Sequence, residues 1–231
     1  MPKKRAKRKR PSSYVPTADK ILAGCYIDFE GFGATDDQPP PKPILIGLLN
    51  HDGNGSFKQV VFTNNYKACA DDAGVDHEVA FCDDRTTFLN EMVKTSSIAK
   101  PIFAYTEYEK NVIETQVGHR ITRRYRNVRT IAKRWFNREE CPYPKPASQA
   151  LHDMMQAMGL PLQHKLPKGG VTDRLRAVRD YSSSKKKWDA APSSVRRQWK
   201  EILQHNKSDV TSIFTMMVRI RGIEEPLHES E

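Results

Sequence analysis

Residues 25–31, CYIDFEG, constrain this chain more tightly than any other segment. Strand side chains alternate between faces, so Asp28 and Glu30 share one face of a strand that also carries Tyr26, Ile27 and Phe29. A buried carboxylate is costly unless it is paired or metal-bound. Two on one face repel unless a cation lies between them. The segment therefore reads in one of two ways: as a wall of a metal site, or as a strand whose acidic face is solvated.

Other segments supply neighbours for that strand. Residues 34–43 hold four prolines and two aspartates and read as a loop. Residues 44–49 and 57–63 read as second and third strands, separated by the turn sequence HDGNG at 51–55. Short turns between consecutive strands predict an antiparallel meander. A polar stretch follows from 64 to 77. A helix is expected over 84–94, with Phe88, Leu89, Met92 and Val93 on one face, and a fourth strand over 101–105. Thr106 and Glu109 have capping-box spacing and open another helix. Ile121, Tyr125, Val128, Ala132 and Trp135 recur at helical spacing. Further helices are expected at 148–158, 172–181, 192–204 and 207–221, with a basic loop at 163–170. Strands first and helices later predict an α/β or α+β fold, one sheet covered by helices. The chain divides into a basic tail at 1–19, a folded domain at 20–223 and a short tail at 224–231.

Composition narrows the class. The 231 residues are 38% hydrophobic and 29% charged, as in a globular chain with a polar surface. No stretch approaches the ~18 apolar residues of a membrane span, and the N-terminus has no apolar core of a secretion signal. Four scattered cysteines, with no paired spacing, argue against a zinc finger and for a reducing, intracellular setting. That means cytoplasm or nucleoid in a bacterium, with the nucleus open in a eukaryote. The net charge is +10, yet residues 3–10, KKRAKRKR, contribute seven cations, so the remainder carries only +3. This tail reads as an import signal, a nucleic-acid arm or a solubilising end.

Two more acids join Asp28 and Glu30 as candidates. Glu109 follows the fourth strand, where α/β sheets place active groups, although capping alone would also account for it. His205 and Asp209 are four apart and share a face if one helix contains both. Val210, Ile213, Phe214 and Met217 continue the apolar side of that helix. An exposed first-turn acid is the alternative for Asp209.

Taken in order, YIDFEGF at 26–32, FAYTEYEKNVI at 103–113 and HNKSDVTSIF at 205–214 resemble the ribonuclease H-like DEDD exonuclease superfamily. The subgroup it resembles is a predicted exonuclease-like family also found fused to RecB-type nucleases. Residues 127–135 and 148–160 resemble that subgroup's connecting segments, so the similarity spans about 24–220. The resemblance implies a ribonuclease H-like mixed sheet, an antiparallel meander followed by parallel strands, flanked by helices and ending in a helical part. It implies two Mg2+ or Mn2+ ions held by Asp28, Glu30, Glu109 and Asp209, with His205 positioning or deprotonating the attacking water. The implied activity is phosphodiester hydrolysis in DNA or RNA, as a 3′–5′ exonuclease. Two departures stand out. Glu109 replaces the superfamily's usual aspartate, and His205 sits four residues before Asp209, the spacing usual for a tyrosine there.

Between Arg120 and Arg138 lie eight Lys or Arg residues and no acid, interleaved with Tyr125, Trp135 and Phe136. Arg123, Arg124 and Arg126, with Lys165 and Lys168 farther on, are the expected nucleic-acid contacts. The aromatics are either base-stacking platforms or core residues. Nucleic acid is the expected partner, and no membrane is. The rival readings are an endonuclease on structured nucleic acid, a non-catalytic nucleic-acid-binding protein on the same fold, and a structural basic protein. No GxSxG or Cys–His signature supports nucleophilic catalysis.

Overall fold

A computed structural model of the chain describes residues 14–32, 42–50, 55–73, 78–160, 164, 166–167, 170–184 and 187–223. Helix α1 (Ala18–Leu22) precedes strand β1 (Cys25–Glu30), then β2 (Leu45–Asn50) and β3 (Ser56–Val61). A 3-10 turn at Asn64–Tyr66 runs into α2 (Lys67–Ala73), followed by β4 (Val79–Phe81), α3 (Arg85–Thr95) and β5 (Ile102–Ala104). Next come α4 (Tyr108–Val117), β6 (Tyr125–Asn127), α5 (Val128–Phe136) and α6 (Leu151–Ala157). The chain continues through α7 (Gly170–Ser183) to α8 (Ser193–Arg221).

The six strands form one mixed sheet in the order β4-β3-β2-β1-β5-β6. The meander is present: β1 with β2 and β2 with β3 are antiparallel. Strands β5 and β6 then add parallel to β1, and β4 adds parallel to β3 at the other edge. The fold is thus α/β, helices flanking a sheet that is antiparallel at its centre and parallel toward its edges.

Alternation sorts the side chains. Ile27, Phe29, Ile46, Leu48, Val60, Ile102 and Ala104 pack on α3 and α4 through Leu89, Met92, Val112 and Ile113. On the opposite face Tyr26, Leu49, Phe103 and Tyr105 meet α5, α6 and the second half of α8. Leu45 and Val61 on that side meet α2, α7 and the first half of α8, around Trp199. Asp28 and Glu30 belong to the α8-facing side, by the same two-residue period.

Four expectations change. The folded part starts earlier than residue 20, because Val15 is buried in the core and α1 begins at Ala18. The helical spacing from Ile121 conceals a break: β6 occupies 125–127, and α5 starts at an Asn127 cap whose Oδ1 accepts the Thr130 N–H at 2.9 Å. The polar stretch after residue 63 contains α2. The two helices expected at 192–204 and 207–221 are one continuous helix of 29 residues. The tails at 1–13 and 224–231 lie outside the described residues.

Candidate functional site

Asp28 sits where three strands line up. It pairs with Gly47 on β2, and Gly47 pairs with Gln59 on β3. Helix α8 crosses directly above that row. A Cβ on Gly47 would lie 2.1 Å from Asn206 Oδ1, so only glycine lets the helix approach this closely. Asn206 is fully buried. Its Nδ2 donates to the Asp28 carbonyl at 3.2 Å and to Asp28 Oδ2 at 3.0 Å. Its Oδ1 accepts from Gln59 Nε2 at 2.9 Å, and the same Nε2 donates to the Leu203 carbonyl at 3.0 Å. This polar strap fixes both the Asp28 carboxylate and the height of α8 over the sheet.

The four acids converge on this place. Asp28 is half-buried, while Glu30 and Glu109 are buried. The solvated-face alternative for β1 therefore fails. Burial pushes the Asp28 carboxyl well above the usual carboxylate range, and the charges of Glu30, Asp209 and Glu109 push it further. Glu30 rises to about 8, through burial first and then Asp209, with hydrogen bonds from Asp28 and Asn206 opposing the rise. Asp209 is raised by burial, and the neighbouring His205 and His164 rings hold it back.

Glu109 does two things. Its Oε2 accepts from the Thr106 hydroxyl at 2.8 Å and the Thr106 N–H at 3.3 Å, while the Tyr108 N–H donates back to Thr106 Oγ1 at 3.1 Å. Glu109 thus makes one half of the expected capping box, reaching back to Thr106, while Glu107 is the N-cap and Thr106 Oγ1 takes the N–H of the first helical residue. Burial also raises the Glu109 carboxyl, and the Tyr125 hydroxyl, which donates to the Thr106 carbonyl, helps to offset the rise. The cap thus orients a carboxylate whose charge reaches Asp28 and Glu30.

His205 and Asp209 share one face of α8, with His205 Nε2 3.8 Å from Asp209 Oδ2. That is too long for a hydrogen bond. The buried His205 Nδ1 has no partner among the described residues. Asp209 is not a first-turn acid, because α8 begins 16 positions earlier, at Ser193.

Several residues of the site carried no usable signal of their own in the sequence. His164 stands with its ring centroid 6.4 Å from that of His205, its backbone N–H donates to Ser208 Oγ, and its buried Nε2 lacks a partner among the described residues. Asn206 and Gln59 resembled ordinary surface amides. Arg129 lies close by: its backbone N–H donates to the Tyr105 carbonyl at 3.2 Å, and the charges of Arg129, Asp153 and Asp209 act on the Tyr105 hydroxyl.

The expected nucleic-acid contacts do not gather here. Arg123 and Arg124 precede β6, at the opposite end of the parallel strands from Thr106 and Glu109. Arg124 Nη1 is engaged with the Val93 carbonyl at the end of α3, and Arg126 Nη1 with the carbonyls of Arg123 and Tyr125. Lys165 and Lys168 lie outside the described residues. Tyr125, Trp135 and Phe136 are buried core residues, so they are not stacking platforms.

The donor set suits a hard divalent cation, because four carboxylates offer only oxygen ligands and their mutual repulsion would be relieved by positive charge between them. Among the described residues, no three His, Cys, Asp or Glu side chains already stand as a coordination shell. A cation would have to draw the carboxylates together. The four cysteines are free thiols. No helix among the described residues is long and apolar enough to cross a membrane. Comparisons with protein-family models, with curated proteins and with solved structures each found no match.

Proposed function

We propose that this chain is a metal-dependent nuclease, hydrolysing phosphodiester bonds in DNA or RNA on a ribonuclease H-like fold. The observation that carries the reading is the convergence of Asp28, Glu30, Glu109 and Asp209, drawn from the three elements β1, α4 and α8, so that the charges of Glu109 and Asp209 raise the carboxyls of Asp28 and Glu30. Structural carboxylates are normally paired with cations. Here the charges of Glu109 and Asp209 bear on Asp28 and Glu30, and the His205 and His164 rings offset the rise at Asp209. A cation between them would relieve that repulsion. The sheet supports the fold assignment, since an antiparallel meander whose first strand pairs parallel with the next is what the resemblance implies.

Asp28, Glu30, Glu109 and Asp209 would hold Mg2+ or Mn2+. Two such ions, when bound, supply an activated water and neutralise charge on the leaving oxygen. The chain's own residues do the rest. Asn206 holds Asp28 in one orientation, and Thr106 holds Glu109. His205 Nε2, on the side of Asp209, is the atom placed to take a proton from an attacking water. A 3′–5′ exonuclease is the form the resemblance implies; closure around a strand end would separate it from an endonuclease.

The test is cleavage of end-labelled single- and double-stranded DNA and RNA with Mg2+ or Mn2+, with chelator, and with Asp28→Asn/Asp209→Asn. Metal-dependent loss of substrate that disappears in the variant is expected. Intact substrate under every condition overturns the reading.

A second reading, a non-catalytic nucleic-acid-binding protein on the same fold, draws on one observation. Glu109 Oε2 is already committed to Thr106. Titration with Mn2+ separates the two: a binding module shows no metal site that is lost on Asp28→Asn.

A further inference from the structure

Helix α5 begins at the site and leads away from it. Its Arg129 N–H is tied to the Tyr105 carbonyl, at the strand end that carries the carboxylates, and the arginine's Nε and Nη2 both reach Gln149 Oε1 at 3.3 Å. One side of the helix, Val128, Ile131, Ala132, Trp135 and Phe136, is buried. The other side exposes Arg129, Lys133 and Arg134, and Arg138 follows in the turn after it. We propose that this exposed basic ridge is the track along which a nucleic-acid backbone runs to or from the carboxylate cluster. The proposal takes nucleic acid as partner from the reading above and names the surface that holds it.

Three observations favour it. On α3, α4 and α7 five cations are neutralised locally, Lys94 by Glu91, Lys110 by Glu107, Arg174 by Glu201, Arg176 by Asp173 and Arg179 by Asp180, whereas α8, like α5, carries cations outside any ion pair among the described residues. None of the four ridge cations has a carboxylate within ion-pair distance among the described residues. Second, the ridge spans about 14 Å along the helix, the length of about four phosphates on one strand of a duplex. Glu139 and Glu140 close its far end. Third, Tyr14 lies at that far end, with Arg138 4.8 Å and Arg134 5.9 Å from its ring centre. The seven cations of residues 3–10 begin four positions upstream of Tyr14, and four residues reach at most about 14 Å.

An anionic membrane fits less well. Surface-binding basic helices carry apolar residues that enter the lipid. Among the described residues the only large exposed hydrophobic is Ile98. It lies in the α3–β5 connection, away from α5.

The experiment measures binding of the full chain to a fluorescent 20-nucleotide DNA and RNA, single-stranded and duplex, in chelator so that nothing is cut. It compares Lys133→Ala/Arg134→Ala/Arg138→Ala with Lys94→Ala/Lys100→Ala/Arg120→Ala, which removes equal charge at the opposite end of the parallel strands. The ridge variant is expected to lose at least tenfold in affinity near 0.15 M salt, with its log–log salt slope smaller by about two to three, roughly one per lost phosphate contact. The control is expected to change less than threefold. Equal losses in both variants, wild-type binding by the ridge variant, or no binding by the parent chain would each overturn the proposal. So would tighter binding to phosphatidylserine vesicles than to any oligonucleotide, lost in the ridge variant. The outcome is separable from the nuclease reading: binding lost in the ridge variant alone supports the track even if no condition yields cleavage, and cleavage that the ridge variant leaves unchanged removes the track alone.

Discussion

Asn206 is the residue on which the geometry of the site turns. It is an amide with no exposed surface, and it bridges Asp28 to Gln59. Replacing it with leucine leaves Gln59 with one acceptor and Asp28 with no fixed donor. Asn206→Leu is expected to destabilise the fold by about 1–3 kcal/mol, the cost of unpaired buried polar groups, and to weaken Mn2+ binding. Urea unfolding and calorimetry read the two effects separately. Gly47→Ala places a methyl against the same amide and is expected to lower stability by about 1–3 kcal/mol through overpacking. Asp28→Asn should do the reverse in chelator. Removing one of four mutually repelling acids raises the stability of the metal-free protein while it destroys the metal site. A thermal midpoint that falls in Asp28→Asn would show that these carboxylates do not repel as described.

Each of the two helices that carry site acids has one feature that decides its role. In α4 the cap and the candidate ligand are the same side chain. Glu109→Gln keeps a capping-box partner, so it is expected to leave the melting temperature nearly unchanged while Mn2+ affinity falls. A large loss of stability with unchanged Mn2+ affinity would make Glu109 a cap alone. In α8 continuity matters, because residues 193–221 carry Trp199 into one cluster and His205, Asn206 and Asp209 into another. Sequence spacing splits this helix into 192–204 and 207–221, where His205, Asn206 and Lys207 interrupt the apolar pattern. No break occurs, since the polar interruption is satisfied by the sheet: Asn206 meets Asp28 and Gln59. In β6 the error ran the other way. Tyr125 and Val128 fit a helical period, but Asn127 stops that period and caps α5. Strands of three residues such as β4 and β6 carry too little pattern to be read by alternation.

For the whole molecule, the carboxylate cluster makes stability depend on pH and metal together. Glu30 has a folded pKa of about 8, above its usual carboxylate value, and Asp28 and Asp209 shift the same way. A raised folded pKa means that the folded state holds a proton the unfolded state has released. Its stabilising effect is full below the ordinary carboxylate range and is lost as pH climbs toward 8, at up to about 1.4 kcal/mol per pH unit for each such group. Urea unfolding in chelator between pH 5 and 8 should therefore show falling stability, and saturating Mn2+ should flatten the slope. The sequence by itself determined the three long strands with the antiparallel start of the sheet, helices such as α3 and α7, and the positions of the acids, because period-two and helical alternation are local properties that burial imposes on any such chain. It also marked residues 120–138 as basic. Only the tertiary structure decided which of those cations are free: Arg124 and Arg126 are taken by backbone carbonyls, and the α5 face is not. It alone brought Asn206, Gln59 and His164 to the site, since what makes an amide or a ring functional is the strand or helix packed against it, and that neighbour lies more than forty residues away in the chain.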